Sequence, residues 1–179
     1  EQARDALELD GVIFMPAGNP VFKKHIEVSD AHHRVAMCRA AIEDNPAFDV
    51  STLEVDRAGD TYTVDTLEAL RAHYPENVEL YFIAGADAIL TLPQWRDAPR
   101  LARLASFVGL NRPRSASLQS PQIAKKLAGT GFRTLFVEAP LFELSSSDIR
   151  KRILGNRSVR YLIPPAVLEY IESVGLYGD

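Results

Sequence analysis

Between Leu144 and Arg150 the chain reads LSSSDIR, which sets three serines, a carboxylate and an arginine within seven positions. An apolar run, Thr134 to Ala139, leads towards it and predicts a buried strand, ended by Pro140. Beyond it Ile149, Ile153 and Leu154 recur at helical spacing, with Ser146 or Ser147 expected as N-cap and Gly155-Asn156 as the stop. A helix start exposes unpaired backbone N–H groups and the positive end of the helix dipole, so it attracts anions. Serine hydroxyls add donors, and the Arg150 guanidinium suits two-pronged phosphate binding. A cation this near a helix start opposes the dipole, which favours a ligand or a carboxylate as its partner. The chemistry would be the holding of phosphate groups. Taken alone, these residues fit a capped helix with a solvated arginine better than they fit a site.

Other stretches carry chemistry of a compatible kind. Gly85 follows an apolar run, Val78 to Ile83, at a strand-to-helix turn where a ligand can approach the backbone. Asp87 is then placed to bond sugar hydroxyls, as carboxylates do in other α/β nucleotide sites. Trp95-Arg96 offers an aromatic platform beside a cation, although a tryptophan there also serves as a lid on the core. Thr63 is the expected N-cap of a helix bearing Val64, Leu67, Leu70 and Tyr74. Arg112, in the turn after the strand Ser106 to Leu110, is placed for a base or a phosphate. Lys23 and Lys24 form a positive spot in a long polar connection, residues 16–29. His32 and His33 point about 100° apart on a helix, so a shared metal ion is not expected.

These residues need elements to hold them. Ser29 is expected to cap a helix from Asp30 to about Glu43; Val12 to Met15 and Phe48 to Leu53 read as strands. A short helix from Gln122 and a last helix, Pro164 to Val174, complete an alternation of helices and strands. That order predicts an α/β fold, a Rossmann-like, doubly wound, mainly parallel sheet with helices on both faces. Val78 to Ile83, the most apolar run, is the expected central strand. Ligands of such folds bind beyond the carboxyl ends of the strands, and Thr63, Gly85, Asp87, Arg112, Ser146 and Arg150 all follow strand ends. Each has an ordinary structural explanation; together they favour a nucleotide site.

Composition bounds the rest. With 179 residues, one domain over 1–179 is expected, and 46% apolar and 25% charged residues are ordinary for a globular chain. A net charge of -4 gives no signal for nucleic acid or an anionic membrane. The single cysteine, Cys38, excludes an internal disulfide and falls on a helical stripe with Val35 and Ile42, which reads as core. No apolar run reaches membrane-spanning length and no signal peptide opens the sequence, so a cytoplasmic protein is expected.

The motifs resemble those of bacterial nicotinate-nucleotide adenylyltransferases. The resemblance spans essentially the whole sequence: PAGNPVFKK (16–24), HR with VAM (33–37), DTYTVDTL (60–67), IAGADAILTLPQW (83–95), FVGLNRP (107–113), LSSSDIRKRI (144–153) and VRYLIPPAVLEYIESVGLY (159–177). LSSSDIR resembles the family's Ile-Ser-Ser-Thr-x-x-Arg signature with two mild replacements. The resemblance implies joining of nicotinate mononucleotide to the AMP part of ATP, with release of pyrophosphate and with Mg²⁺ bound to ATP. It places Thr63, Trp95 and Arg96 around the nicotinate, Lys23 on phosphate, and Gly85 and Asp87 on ribose. Arg112, Ser146, Ser147 and Arg150 would hold ATP, with Ser146, Arg150 and Lys23 assisting the transfer. No nucleic acid, membrane or resident metal site is implied. The family also has an initial strand and a His-x-Gly-His motif; this sequence opens inside the helix that follows, so that strand is expected to be absent and the activity of the chain to depend on it. The rivals are an adenylyltransferase of the same fold using nicotinamide mononucleotide or another acceptor, and a non-catalytic nucleotide-binding module. A dehydrogenase is disfavoured, because no G-x-G-x-x-G follows a strand.

Overall fold

A strand buried along most of its length, Ser106–Asn111, organises the first half of the fold in the computed structural model, which describes residues 1–20, 29–111, 120–140 and 144–178. In chain order the elements are α1 (Gln2–Ala6), β1 (Val12–Phe14), β2 (Asn19–Pro20), α2 (Ala31–Ile42), β3 (Phe48–Val50), β4 (Asp60–Thr61), α3 (Thr63–His73), β5 (Tyr81–Gly85), α4 (Ala86–Leu90), α5 (Ala98–Leu104), β6 (Ser106–Asn111), α6 (Ser120–Leu127), β7 (Thr134–Glu138), α7 (Ser146–Leu154) and α8 (Pro165–Ser173). They form two compact units, one of Glu1–Asp10 with Thr61–Leu141, the other of Gly11–Asp60 with Phe142–Asp179.

In the first unit β6 lies between β5 and β7, and both pairings are parallel. The central strand is therefore β6 rather than the more apolar run before Gly85. Position in a sheet follows from which edges pair, and Phe107 and Val108 are fully buried while the β5 residues keep partial exposure. Gly109 is required by contact: a Cβ there would stand 2.7 Å from the Phe136 ring on β7. Ile89 from α4, Leu92, Leu101 from α5, Phe107 and Ile123 from α6 are all 0% exposed and form the heart of this core. Burial of each such side chain contributes about 1.5–3 kcal/mol. Arg71 fastens the periphery, donating from Nε to the Leu104 carbonyl at 3.0 Å and from Nη1 to that of Val78.

In the second unit β1 and β3 pair in parallel, with Phe14 against Phe48 edge to face at 5.3 Å. The expected buried strand at Val12 to Met15 is shorter and more open: Ile13 and Phe14 each keep 37% exposure, since β1 has a ladder partner on one edge among the described residues. The strand expected to reach Leu53 stops at Val50, where side chains take over the backbone: Ser51 Oγ accepts from the Leu53 N–H, and Thr52 donates to Asp56. Helices α2 and α8 pack together, with His33 Nδ1 and the Tyr170 hydroxyl 2.7 Å apart. Asp30, not Ser29, caps α2, accepting from the His32 N–H at 3.0 Å, while the Ser29 hydroxyl meets that of Tyr177. The Cys38 stripe is core only in part, because Val35 is buried whereas Cys38 and Ile42 are half-buried. The expected Rossmann-like, mainly parallel arrangement is seen as parallel strands flanked by helices, β1–β3 in one unit and β5–β6–β7 in the other, with β2 and β4 paired besides.

Candidate active site

In the first unit the chain leaves β4 in an extended conformation at Tyr62 and enters α3 at Thr63. Tyr62 is the N-cap in place of the expected Thr63, and its side chain caps nothing. Half-buried against the core, the Tyr62 ring instead lies beneath the Arg96 guanidinium, whose Cζ is 4.2 Å from the ring centroid. Contacts of this kind contribute about 0.5–1 kcal/mol at exposed sites. The residue chosen from sequence, Thr63, thus begins its helix beside the pair that Arg96 makes.

Trp95 is fixed from two sides. Its ring meets that of Phe82 on β5 at 5.7 Å, nearly perpendicular, and its Nε1–H donates to Thr91 Oγ1 at 2.9 Å. Thr91 in turn donates to the Ala88 carbonyl at 2.8 Å, which ties the indole to the end of α4. The indole is therefore both a cover for the core and a held, half-exposed platform. Immediately after Arg96, Asp97 adopts the left-handed conformation with φ of 48°, an unusual state for a side-chain-bearing residue and one that concentrates at functional turns. The turn sends the chain into α5 and leaves Arg96 exposed over Tyr62.

Gly85 ends β5 at the carboxyl edge of the sheet, level with Leu110 of β6. A Cβ at Gly85 would meet nothing within 4 Å, so the space before it is open. Asp87 stands exposed in the first turn of α4, where the dipole favours a carboxylate. Thr63, Trp95, Arg96, Gly85 and Asp87 accordingly all belong to the first unit, and Trp95 and Arg96 are tied to β5 and to the α3 start.

Ser146, Ser147 and Arg150 belong to the second unit. The cap of α7 is Ser145 rather than Ser146 or Ser147, because it is the Ser145 hydroxyl that faces the third helical amide, accepting from the Asp148 N–H at 3.1 Å. The same hydroxyl donates to the Asp148 carboxylate at 2.6 Å. This bond, and then the adjacent Lys151 and Arg152, hold the Asp148 carboxyl below its ordinary pKa. With the cap supplied by Ser145, the Ser146 and Ser147 N–H groups at the helix start remain available, and Ser146 and Ser147 are exposed. Arg150 is half-buried, and its Nη2 approaches Ser147 Oγ at 3.5 Å, a long and weak contact. Among the described residues no carboxylate pairs with Arg150. Lys23 and Arg112 lie outside the described residues.

The histidine rings lie close together, where the sequence reading set them about 100° apart. The His32 and His33 rings come to 3.9 Å between centroids, and Asp30 accepts from His32 Nδ1 at 2.8 Å. Among the described residues no three His, Cys, Asp or Glu side chains gather as a metal site. Burial raises the Cys38 thiol above its ordinary pKa, with Arg34 opposing, so it rests protonated at neutral pH. Sequence reading missed Tyr62, Thr91, Asp97 and Ser145. The TYT triplet carried a signal for Tyr62, since an aromatic residue at a strand-to-helix turn has no cap to offer and must find another use.

Comparison with known proteins identifies the family and the fold. Residues 1–152 match the Cytidylyltransferase-like family model. The chain is 42% identical over 177 residues to a probable nicotinate-nucleotide adenylyltransferase of Roseiflexus sp. (strain RS-1), covering 99% of this chain and 87% of that one. It is 43% identical over 178 residues to the protein of the same designation from Moorella thermoacetica, covering 99% and 82%. In fold it matches the Plasmodium falciparum nicotinic acid mononucleotide adenylyltransferase complexed with NaAD, with a TM-score of 0.70 at 20% identity, covering 94% of this chain and 82% of that chain. That likeness establishes the Rossmann-like architecture. No helix among the described residues is long and apolar enough to cross a membrane.

Proposed function

The chain belongs to the nicotinate-nucleotide adenylyltransferase family, and from that premise we propose that it transfers the adenylyl group of ATP to nicotinate mononucleotide in the biosynthesis of NAD. The observation that carries the reading is near-full-length identity to proteins designated for this reaction. The geometry supports it with an aromatic platform, an adjacent cation and an open glycine turn in one unit, and a capped helix start beside an arginine in the other.

In this reading a phosphate oxygen of nicotinate mononucleotide attacks the α-phosphorus of ATP. The bond from that phosphorus to the bridging oxygen breaks, pyrophosphate leaves, and nicotinate adenine dinucleotide remains. Such transfers need little covalent help; they need two anionic substrates held in line and their charge neutralised. Trp95 stacks on the pyridine ring with Thr63 and Arg96 around the nicotinate, and Gly85 and Asp87 take ribose. Arg112, Ser146, Ser147 and Arg150 hold ATP, and Lys23 meets phosphate. No enzyme nucleophile is required, in keeping with a protonated, half-buried Cys38. Mg²⁺ enters as the magnesium complex of ATP, as part of the substrate.

Pyrophosphate release by the full-length enzyme, with MgATP and either the acid or the amide mononucleotide, tests this reading. Turnover with the acid well above that with the amide is expected. Preference for the amide would select the sister adenylyltransferase activity, and no turnover with either would leave a nucleotide-binding module.

A further inference from the structure

We infer that the turn joining α7 to α8 is a docking surface for a second copy of this chain: Arg157, Arg160 and Tyr161 of one copy meet the acidic stretch 43–60 of the other. From 149 to 168 the sequence carries five cations, Arg150, Lys151, Arg152, Arg157 and Arg160, and no carboxylate. From 43 to 60 it carries six carboxylates and a single cation, Arg57. A chain of net charge -4 thus holds two blocks of nearly equal and opposite charge, both in the second unit.

The basic block is folded for display. The Arg157 N–H donates to the Arg152 carbonyl at 2.8 Å and the Leu162 N–H to that of Val159 at 3.1 Å, which turns the chain twice between the two helices. Lys151, Arg157 and Arg160 are exposed, and among the described residues none of the five cations is in an ion pair. Tyr161 is 99% exposed and holds a φ of 65°, a left-handed state that is costly for a bulky side chain and concentrates at functional positions. Its ring buries almost nothing in the fold, so packing within one copy does not offset that cost. Leu154 and Leu162 add exposed apolar surface close by in the chain. Tyrosine and arginine beside apolar groups are what the centres of protein interfaces are made of. Charge selects the occupant. Glu43, Asp44, Asp49 and Asp56 are exposed, and no carboxylate of the same copy pairs with the cations among the described residues, so the blocks are left to pair between copies. A polyanion would be drawn to one block and repelled by the other, whereas a second copy supplies both signs in matching number. About a two-fold axis the contact is made twice.

The test is sedimentation equilibrium of the full-length protein at tens of micromolar, in about 50 mM and about 500 mM salt. A mass near twice that of the chain is expected at low salt, with a dissociation constant raised roughly tenfold or more at high salt. Arg157→Glu with Arg160→Glu should give a monomer at low salt, as should Glu43→Lys with Asp44→Lys; all four positions are exposed, so folding is not at risk. Tyr161→Ser should raise the dissociation constant about fivefold or more, the size of a hot-spot residue. Mixing the two charge-reversed proteins should restore a heterodimer, because each reversed block then faces its opposite. A wild type that stays monomeric at low salt would overturn the inference, and its binding of a single-stranded oligonucleotide instead would give the surface to a polyanion. A dimer indifferent to the Arg157 and Arg160 reversal, or reversed proteins that stay apart when mixed, would overturn it as well.

Discussion

The Ser145 hydroxyl bonds Asp148 twice, accepting from its backbone N–H at 3.1 Å and donating to its carboxylate at 2.6 Å. One small side chain therefore both closes the start of α7 and holds the acid of its first turn. The helix end that offers Ser146 and Ser147 to a ligand is set by a residue that need not touch the ligand.

Ser145→Ala should lower stability by about 0.5–2 kcal/mol, the usual cost of an N-cap, read from urea unfolding. It should also weaken ATP binding more than nicotinate mononucleotide binding, since α7 carries the proposed ATP contacts.

The same pair sets a pH dependence. The folded Asp148 carboxyl has a lowered pKa, chiefly through the Ser145 hydrogen bond. Its stabilisation is present above the unfolded value of about 3.9 and is lost as pH falls through the lower folded value. Thermal melts between about pH 6 and pH 2.5 should show the wild type losing stability faster than Ser145→Ala, so that the gap narrows towards the acid end to what the Asp148 N–H cap alone contributes. Parallel curves would contradict the pairing.

Gly109→Ala should destabilise by about 1–3 kcal/mol, because the added methyl group meets the Phe136 ring between two strands that cannot separate cheaply. A Gly109→Ala, Phe136→Leu double variant should recover part of that loss, as urea midpoints would reveal.

Trp95→Ala should raise KM for nicotinate mononucleotide by roughly one order of magnitude or more, the scale of base–aromatic stacking of about 1–3 kcal/mol. KM for ATP should move much less. Equal effects on both substrates would make Trp95 a cover of the core alone, through its contact with Phe82.

Cys38→Ser should leave turnover within about twofold of wild type, as expected when a raised-pKa thiol plays no covalent part. Loss of activity out of proportion to loss of stability would point to a covalent step.

Much of this was legible in the sequence, and the misses share a physical cause. Helix α3 was readable because Val64, Leu67 and Leu70 repeat on one face, and α7 because Ser-rich turn, Ile149 and Gly155 mark its ends. The caps were misplaced by a residue or so at Asp30, Tyr62 and Ser145, since a cap is decided by which atom faces the free amide, a matter of ångströms that residue type does not encode. Val78 to Ile83 looked central on hydrophobicity, yet strand rank is set by long-range pairing, and β6 holds the middle. Gly85, Asp87 and Trp95 could be picked out from their turns, whereas the Arg96–Tyr62 contact joins residues from separate elements that no local pattern links.

The most direct test of the central claim follows the phosphorus. ATP labelled at the α-phosphate is incubated with the full-length enzyme, Mg²⁺ and nicotinate mononucleotide, and the products are separated. Direct adenylyl transfer predicts that the label appears in nicotinate adenine dinucleotide in step with unlabelled pyrophosphate, with none retained on protein. Label found in ADP, label bound to the enzyme, or a dinucleotide formed only from the amide mononucleotide would contradict it.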